Sequence, residues 1–229
     1  MSNFKPSQET TFYHVIYRGV DGRRIFIDDQ DRARFVHDLY EFNDVHPADT
    51  YLQRQSVSNI GHVMSDIREQ IINVHGWKFM PNHVHLLLSE KVEKGLSTFL
   101  QKMRGYGRYF NERHERHGRL FDTTKKVRLE SEAHFLYVLH YIHLNGLDDF
   151  PPARTWRERD KGFVQDIDAA LTYLKEDRWS SLRDYCGMKN FPSILTKEPF
   201  ETNARMYERS LREYLSDREK TERTPHALE

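Results

Sequence analysis

The sequence predicts an α+β fold in which helices pack on an antiparallel sheet. Two observations carry that expectation. Short runs of strand character precede and follow a helical stretch in the first 90 residues, and helical periodicity then dominates. No internal repeat is visible, so an antiparallel sheet covered by helices is the simplest arrangement of these elements.

In chain order, Phe12-Tyr13-His14-Val15-Ile16-Tyr17-Arg18-Gly19 reads as a strand that ends at a glycine turn, and Ile25-Phe26-Ile27 as a short second strand. Asp28-Asp29 then opens a helix over Gln30 to Phe42, with Phe35, Leu39 and Phe42 on one stripe. Asn43 to Asn59 is polar and reads as a loop or insertion, and Val63 to Ile72 as a helical candidate. Val74 to Met80 reads as a strand, and Pro81-Asn82 as a tight connection into the next one. Leu96, Phe99, Leu100, Met103 and Phe110 predict one long helix from Gly95 to about His117, stopped by Gly118. Ser131 caps a helix that runs to Asn145-Gly146. Beyond Pro151-Pro152 the composition shifts. Ile167 to Leu174 and Trp179 to Tyr185 predict short helices, and an amphipathic helix starts near Thr202 and frays towards Glu229. Two units follow: residues 1–150 as an α+β domain and 151–229 as a helical extension.

The chain has 229 residues, of which 38% are hydrophobic and 31% charged, enough for one good core with an appended unit. It has no apolar run of about 18 residues, and its first ten residues lack the apolar core of a signal peptide. Cys186 is the only cysteine, which excludes an intrachain disulfide and a thiolate zinc cluster. A cytoplasmic location with no membrane partner is the expectation. The 35 basic and 35 acidic side chains balance, but Gln101 to Arg128 holds nine basic residues against three acidic ones. Tyr106, Tyr109, Phe110 and Phe121 are interleaved with them, the composition that neutralises phosphates and stacks unpaired bases. A solvated helix with its aromatics in the core has the same pattern.

The chemistry concentrates in Met80-Pro81-Asn82-His83-Val84-His85-Leu86-Leu87-Leu88. Side chains alternate along a strand, so His83 and His85 share a face while Val84, Leu86 and Leu88 enter a core on the other. Two imidazoles at that spacing can reach one cation, and imidazole is the commonest transition-metal ligand. A second pair stands at the end of the capped helix. Tyr141 and Asn145 are four residues apart and share a helix face. The amide oxygen suits a third ligand, and the phenol a nucleophile towards a phosphate held by the cation. Tyr106 and Tyr109 are rival nucleophiles without an amide four residues on. His143 is out of phase with Tyr141, and reads as packing or surface. His14 and His140 are candidates for supporting or DNA-facing roles. Trp77 and Trp179 read as core. A histidine-triad hydrolase would need a third alternating histidine, and that position is Leu87.

On these residues the chain resembles the HUH single-strand transposases, and within them the REP-associated tyrosine transposases. The resemblance runs over residues 12–187: His14-Val15 and Arg18-Gly19, Ile25 to Asp29, Met80 to Leu87, Tyr109-Phe110-Asn111, His117 to Phe121, Tyr141 to Asn145, and Trp179 to Tyr185. It implies a ferredoxin-like antiparallel sheet and cleavage of a single DNA strand by Tyr141. That cleavage leaves a 5′-phosphotyrosyl link and a 3′-hydroxyl, and a later 3′-hydroxyl attack rejoins the strand. It further implies hairpin DNA as partner, and magnesium or manganese held by His83, His85 and Asn145. The family includes monomers and dimers, so a homodimer stays open. Arg18, Lys102, Arg104, Arg108, Arg113, Lys125 and Lys126 are the candidate phosphate contacts, by charge and position. The chain departs from the family in two places. Gly146-Leu147-Asp148-Asp149 stands where relatives often carry proline after the asparagine, and Leu120-Phe121-Asp122 where they carry a tryptophan–glutamine-like pair. The alternative reading is a non-catalytic hairpin-binding protein or repressor descended from such an enzyme.

Overall fold

A computed structural model of the chain describes residues 3–4, 10–47, 68–157, 164–198 and 200–216. A four-stranded antiparallel sheet is its centre. The strands are β2 (Phe12–Arg18), β3 (Ile72–Phe79), β4 (His83–Glu90) and β5 (Lys125–Leu129), in the order β3-β4-β2-β5. A separate two-stranded pair joins β1 (Asn3–Phe4) to β6 (Phe200–Glu201). The helices are α1 (Asp29–Glu41), α2 (Gly95–Met103), α3 (Gly105–Arg113), α4 (Glu132–Leu144), α5 (Ile167–Glu176), α6 (Leu182–Tyr185) and α7 (Ala204–Ser216). The run β2-α1-β3-β4-α2/α3-β5 has the split βαββαβ connectivity of a ferredoxin-like sheet, so the predicted α+β class holds.

Alternation along the strands sorts the core into two layers. Val15 and Tyr17 of β2, with Val84, Leu86 and Leu88 of β4, bury one face against Phe35, Leu39, Phe99, Met103 and Tyr106 of α1, α2 and α3. The other face packs Phe12, Leu87 and Leu129 against Phe135, Val138, Leu139 and Ile142 of α4. Each such apolar side chain is worth about 1.5–3 kcal/mol when fully buried. The helices that follow Pro151 enter this second layer through Leu171, Leu174, Tyr207 and Leu211. No described helix is long and apolar enough to cross a membrane.

Several local expectations are corrected. Ile25 to Ile27 forms no strand: Ile25 and Phe26 both donate to the Pro81 carbonyl, which binds the segment to the β3–β4 turn. The helix from Gly95 is broken at Arg104, where Arg104 N–H bonds the Gln101 carbonyl and Gly107 N–H the Arg104 carbonyl, a tightened turn between α2 and α3. It stops at Arg113, short of Gly118. Trp179 and Ser180 lie outside a helix, with Ser180 bridged to Lys78, and α6 keeps only the last four residues of the predicted span. Trp77 is core, whereas Trp179 is half-buried and stacks on Phe79. Arg68 to Ile71 is not helical, and Ile72 begins β3; residues 63–67 of that predicted helix lie outside the described residues, as do most of the 43–59 segment and the tail after Ser216.

Gly19 ends β2 where another backbone comes close. A Cβ there would stand 2.2 Å from the Arg23 carbonyl oxygen, and the Gly19 N–H donates to Asn82 O at 2.9 Å. The absence of a side chain thus lets the turn through Arg23 fold back against the β2 exit.

His75 of β3 is buried between Thr196 O (2.9 Å from Nδ1) and Ser89 Oγ (2.8 Å from Nε2). Burial lowers it from 6.5 to about 4, so the native ring is neutral where the unfolded one takes up a proton. Stability is therefore expected to be full above pH 6.5 and to fall as the pH drops towards 4, by about 3 kcal/mol from this group. Urea unfolding at pH 7.5, 6 and 4.5 checks it; a flat profile over that window would refute the neutral buried ring.

Candidate active site

Pairing of β2 with β4 sets Arg18 opposite His83 and Ile16 opposite His85. His14, Ile16 and Arg18 therefore share the sheet face of the two predicted imidazoles. His83 Nε2 and His85 Nε2 lie 3.0 Å apart, and His85 Nδ1 lies 2.9 Å from His14 Nε2. The Asn82 amide nitrogen donates to Gly22 O, so its oxygen receives the Nδ1–H of His83 at 2.7 Å. That bond fixes the tautomer in which Nε2 of His83 carries the lone pair. Burial, with Arg18, Arg157 and Lys78 nearby, lowers His83 to about 4. Burial also holds His85 well below the imidazole range, and lowers His14 to about 3. The three rings are neutral at pH 7.

These residues fit a divalent ion in one respect. Two nitrogens bound at about 2.1 Å and at right angles to one another lie about 3.0 Å apart, the spacing of the two Nε2 atoms. Among the described residues, no three His, Cys, Asp or Glu side chains converge on one point, so a bound cation would draw its other donors from amide, water or substrate oxygens.

From α4, the Tyr141 ring stands edge-on to His85 (centroids 5.6 Å apart) and to His14 (6.1 Å). The helix is fixed by its Ser131 cap, whose Oγ accepts from His134 N–H, and by Asn145 at its other end. The Asn145 amide is occupied on both sides: Nδ2 donates to Tyr141 O at 2.5 Å, and Oδ1 accepts from Arg157 at 2.6 Å. The oxygen expected as a third metal ligand thus holds a guanidinium. Arg157 also pairs with Asp148 at 2.9 Å and lies 5.1 Å from the Tyr141 ring centroid.

The rival phenols belong to the other layer. Tyr106 is fully buried and donates to Ile25 O at 2.6 Å, and Tyr109 packs under Arg34. His143 is buried between Tyr207 Oη (2.5 Å) and Ser181 Oγ (2.7 Å), and His140 reaches Ser210 Oγ at 3.0 Å. Both are packing groups for the C-terminal helices.

The basic residues divide three ways. Arg18 and Lys125 are on the histidine face, since Lys125 pairs with Ile16. Arg104, Arg108 and Lys126 line an open groove of about 1450 Å³ on the opposite side, where Arg108 is paired with Glu112. Lys102 is held by the carbonyls of Asp44 and His46. Arg113 clamps Asp28 and the fully buried Asp31. Lys78 is buried beside the site, opposite His85 in register, and paired with Asp177.

Sequence reasoning left His14 between a supporting and a DNA-facing role, and gave Lys78 and Arg157 no part in the site. A period-two reading of β2 puts His14 on the Arg18 face, but nothing in the sequence says that β4 pairs beside it. Arg157 follows a proline-rich turn, twelve residues beyond Asn145, and carries no local signal.

No protein-family model matches the chain, and no curated protein sequence does. Among solved structures, a REP-associated tyrosine transposase bound to a REP hairpin is similar, with 9% identity and a TM-score of 0.46 over 89% of this chain and 96% of that one.

The Arg113 clamp yields a prediction. Arg113→Gln leaves the buried Asp31 carboxylate with His114 and the Ile27 N–H as its remaining partners, so the urea midpoint should fall with the slope unchanged. An unaltered midpoint would return Arg113 to the pool of phosphate contacts.

Proposed function

We propose that the chain is a metal-dependent single-stranded DNA endonuclease and strand transferase that acts on DNA hairpins through a 5′-phosphotyrosine. The supporting observation is the meeting of Tyr141, from α4, with the neutral imidazoles of β4 and β2. A phenol, an imidazole pair spaced for two cis ligands, and cationic side chains occupy one face of one sheet.

His83 and His85 would hold the cation, magnesium or manganese. When bound, it neutralises charge on the phosphoryl oxygens. Asn82 and His14 fix the two rings, and Arg18 and Lys125 bring positive charge to the strand's backbone. Tyr141 Oη bonds to phosphorus as the P–O3′ bond breaks. The phenolic proton passes to solvent, and the departing 3′ oxygen takes one up from solvent to leave as a 3′-hydroxyl. The 5′ phosphate stays on Tyr141 until a 3′-hydroxyl attacks it, giving up its proton and restoring the phenol.

A second reading, a hairpin-binding protein without cleavage, is favoured by one observation: the oxygen of Asn145 is engaged by Arg157. One experiment separates the two. A pool of labelled DNA hairpins with randomised single-stranded flanks is incubated with the protein and Mn²⁺, then resolved under denaturing conditions. Cleavage predicts a covalent adduct that Tyr141→Phe abolishes while hairpin affinity stays within about threefold. Binding with no adduct at any flank sequence would leave the second reading standing.

A further inference from the structure

Arg157 is held beside the Tyr141 ring. Its guanidinium donates to Asn145 Oδ1 at 2.6 Å and pairs with Asp148 Oδ2 at 2.9 Å, while Asp148 is itself fixed by the indole N–H of Trp156 at 2.8 Å. The group lies 5.1 Å from the Tyr141 ring centroid and 4.8 Å from that of Trp156. Those contacts restrict it from three sides. The side chain keeps 30% of its surface exposed, so the charge is fixed yet reachable.

We propose that Arg157 is a catalytic residue whose guanidinium binds a non-bridging oxygen of the scissile phosphodiester and sets the phosphorus against Tyr141. This rests on the strand-transfer reading above. Arginine suits the task because its planar fork matches phosphate geometry, and a pre-positioned cation costs no reorganisation as charge builds on the phosphoryl oxygens. Asn145 is then a positioning residue, acting through the guanidinium that its oxygen holds.

The test uses the full chain, the labelled hairpin pool and three readouts. In EDTA, Arg157→Ala should weaken hairpin affinity by about three- to tenfold. With Mn²⁺, single-turnover adduct formation should fall by about 10²- to 10³-fold, and added guanidinium ion, but not methylammonium, should restore part of it. Mn²⁺ affinity, read by calorimetry without DNA, should stay within about twofold. Unchanged hairpin affinity and adduct rate would overturn the proposal. So would a gain of about tenfold or more in Mn²⁺ affinity, which would make Arg157 a plug on the Asn145 oxygen. Should Arg157→Ala fail to fold, Arg157→Lys keeps the charge without the fork, and a wild-type adduct rate in that variant would equally overturn it. If the wild-type protein forms no adduct, the strand-transfer reading falls by itself, and the EDTA affinities still decide whether Arg157 meets phosphate.

Discussion

The antiparallel register between β2 and β4 is the constraint on which the site depends. Seven consecutive pairs, from Phe12 with Ser89 to Arg18 with His83, bring His14 within hydrogen-bonding distance of His85. A slip of one residue would exchange the faces of every side chain in one strand, sending Val15 and Tyr17 out of one layer and His14 into it. Burial of Val84, Leu86 and Leu88 against the α1–α3 layer penalises that slip at each position. The apolar face therefore fixes the geometry of the polar one. Chemistry and core are read off alternate residues of the same two strands.

The second constraint is the seat of α4. Val138, Leu139 and Ile142 anchor it in the layer that faces the histidines, and Tyr141 leaves that interface towards His85. Gly76 of β3 takes part, since a Cβ there would stand 2.7 Å from Leu139 Cδ1. The helices after Pro151 close over the far side of α4 through Tyr207 and Leu211, with His143 bonded to Tyr207 and Ser181. These helices thereby hold α4 against the sheet, and the segment that follows Pro151 sets Arg157 beside the Tyr141 ring. Positive charge is divided between two faces: Arg18, Lys125 and Arg157 on the histidine side, and Arg104, Arg108 and Lys126 around the groove opposite. Composition alone treats Gln101 to Arg128 as one basic segment, whereas the alternation of Lys125 with Lys126 along β5 puts these two on opposite faces of the sheet.

Local rules determined a great deal by themselves. Period two along Phe12–Arg18 and His83–Glu90 placed the strands and paired His83 with His85, because alternation is a property of extended backbone. Capping by Asp28 and Ser131 placed α1 and α4, because a side-chain oxygen satisfies otherwise unpaired N–H groups at the next turn. Helical spacing put Tyr141 and Asn145 on one face. What the sequence left open was everything that depends on distance between segments. That His14 meets His85, that Asn145 is spent on Arg157, that Arg113 serves Asp31, and that Tyr106 belongs to the opposite layer follow from strand order and helix seating. Those are set by burial summed over the whole core, which no window of neighbouring residues contains.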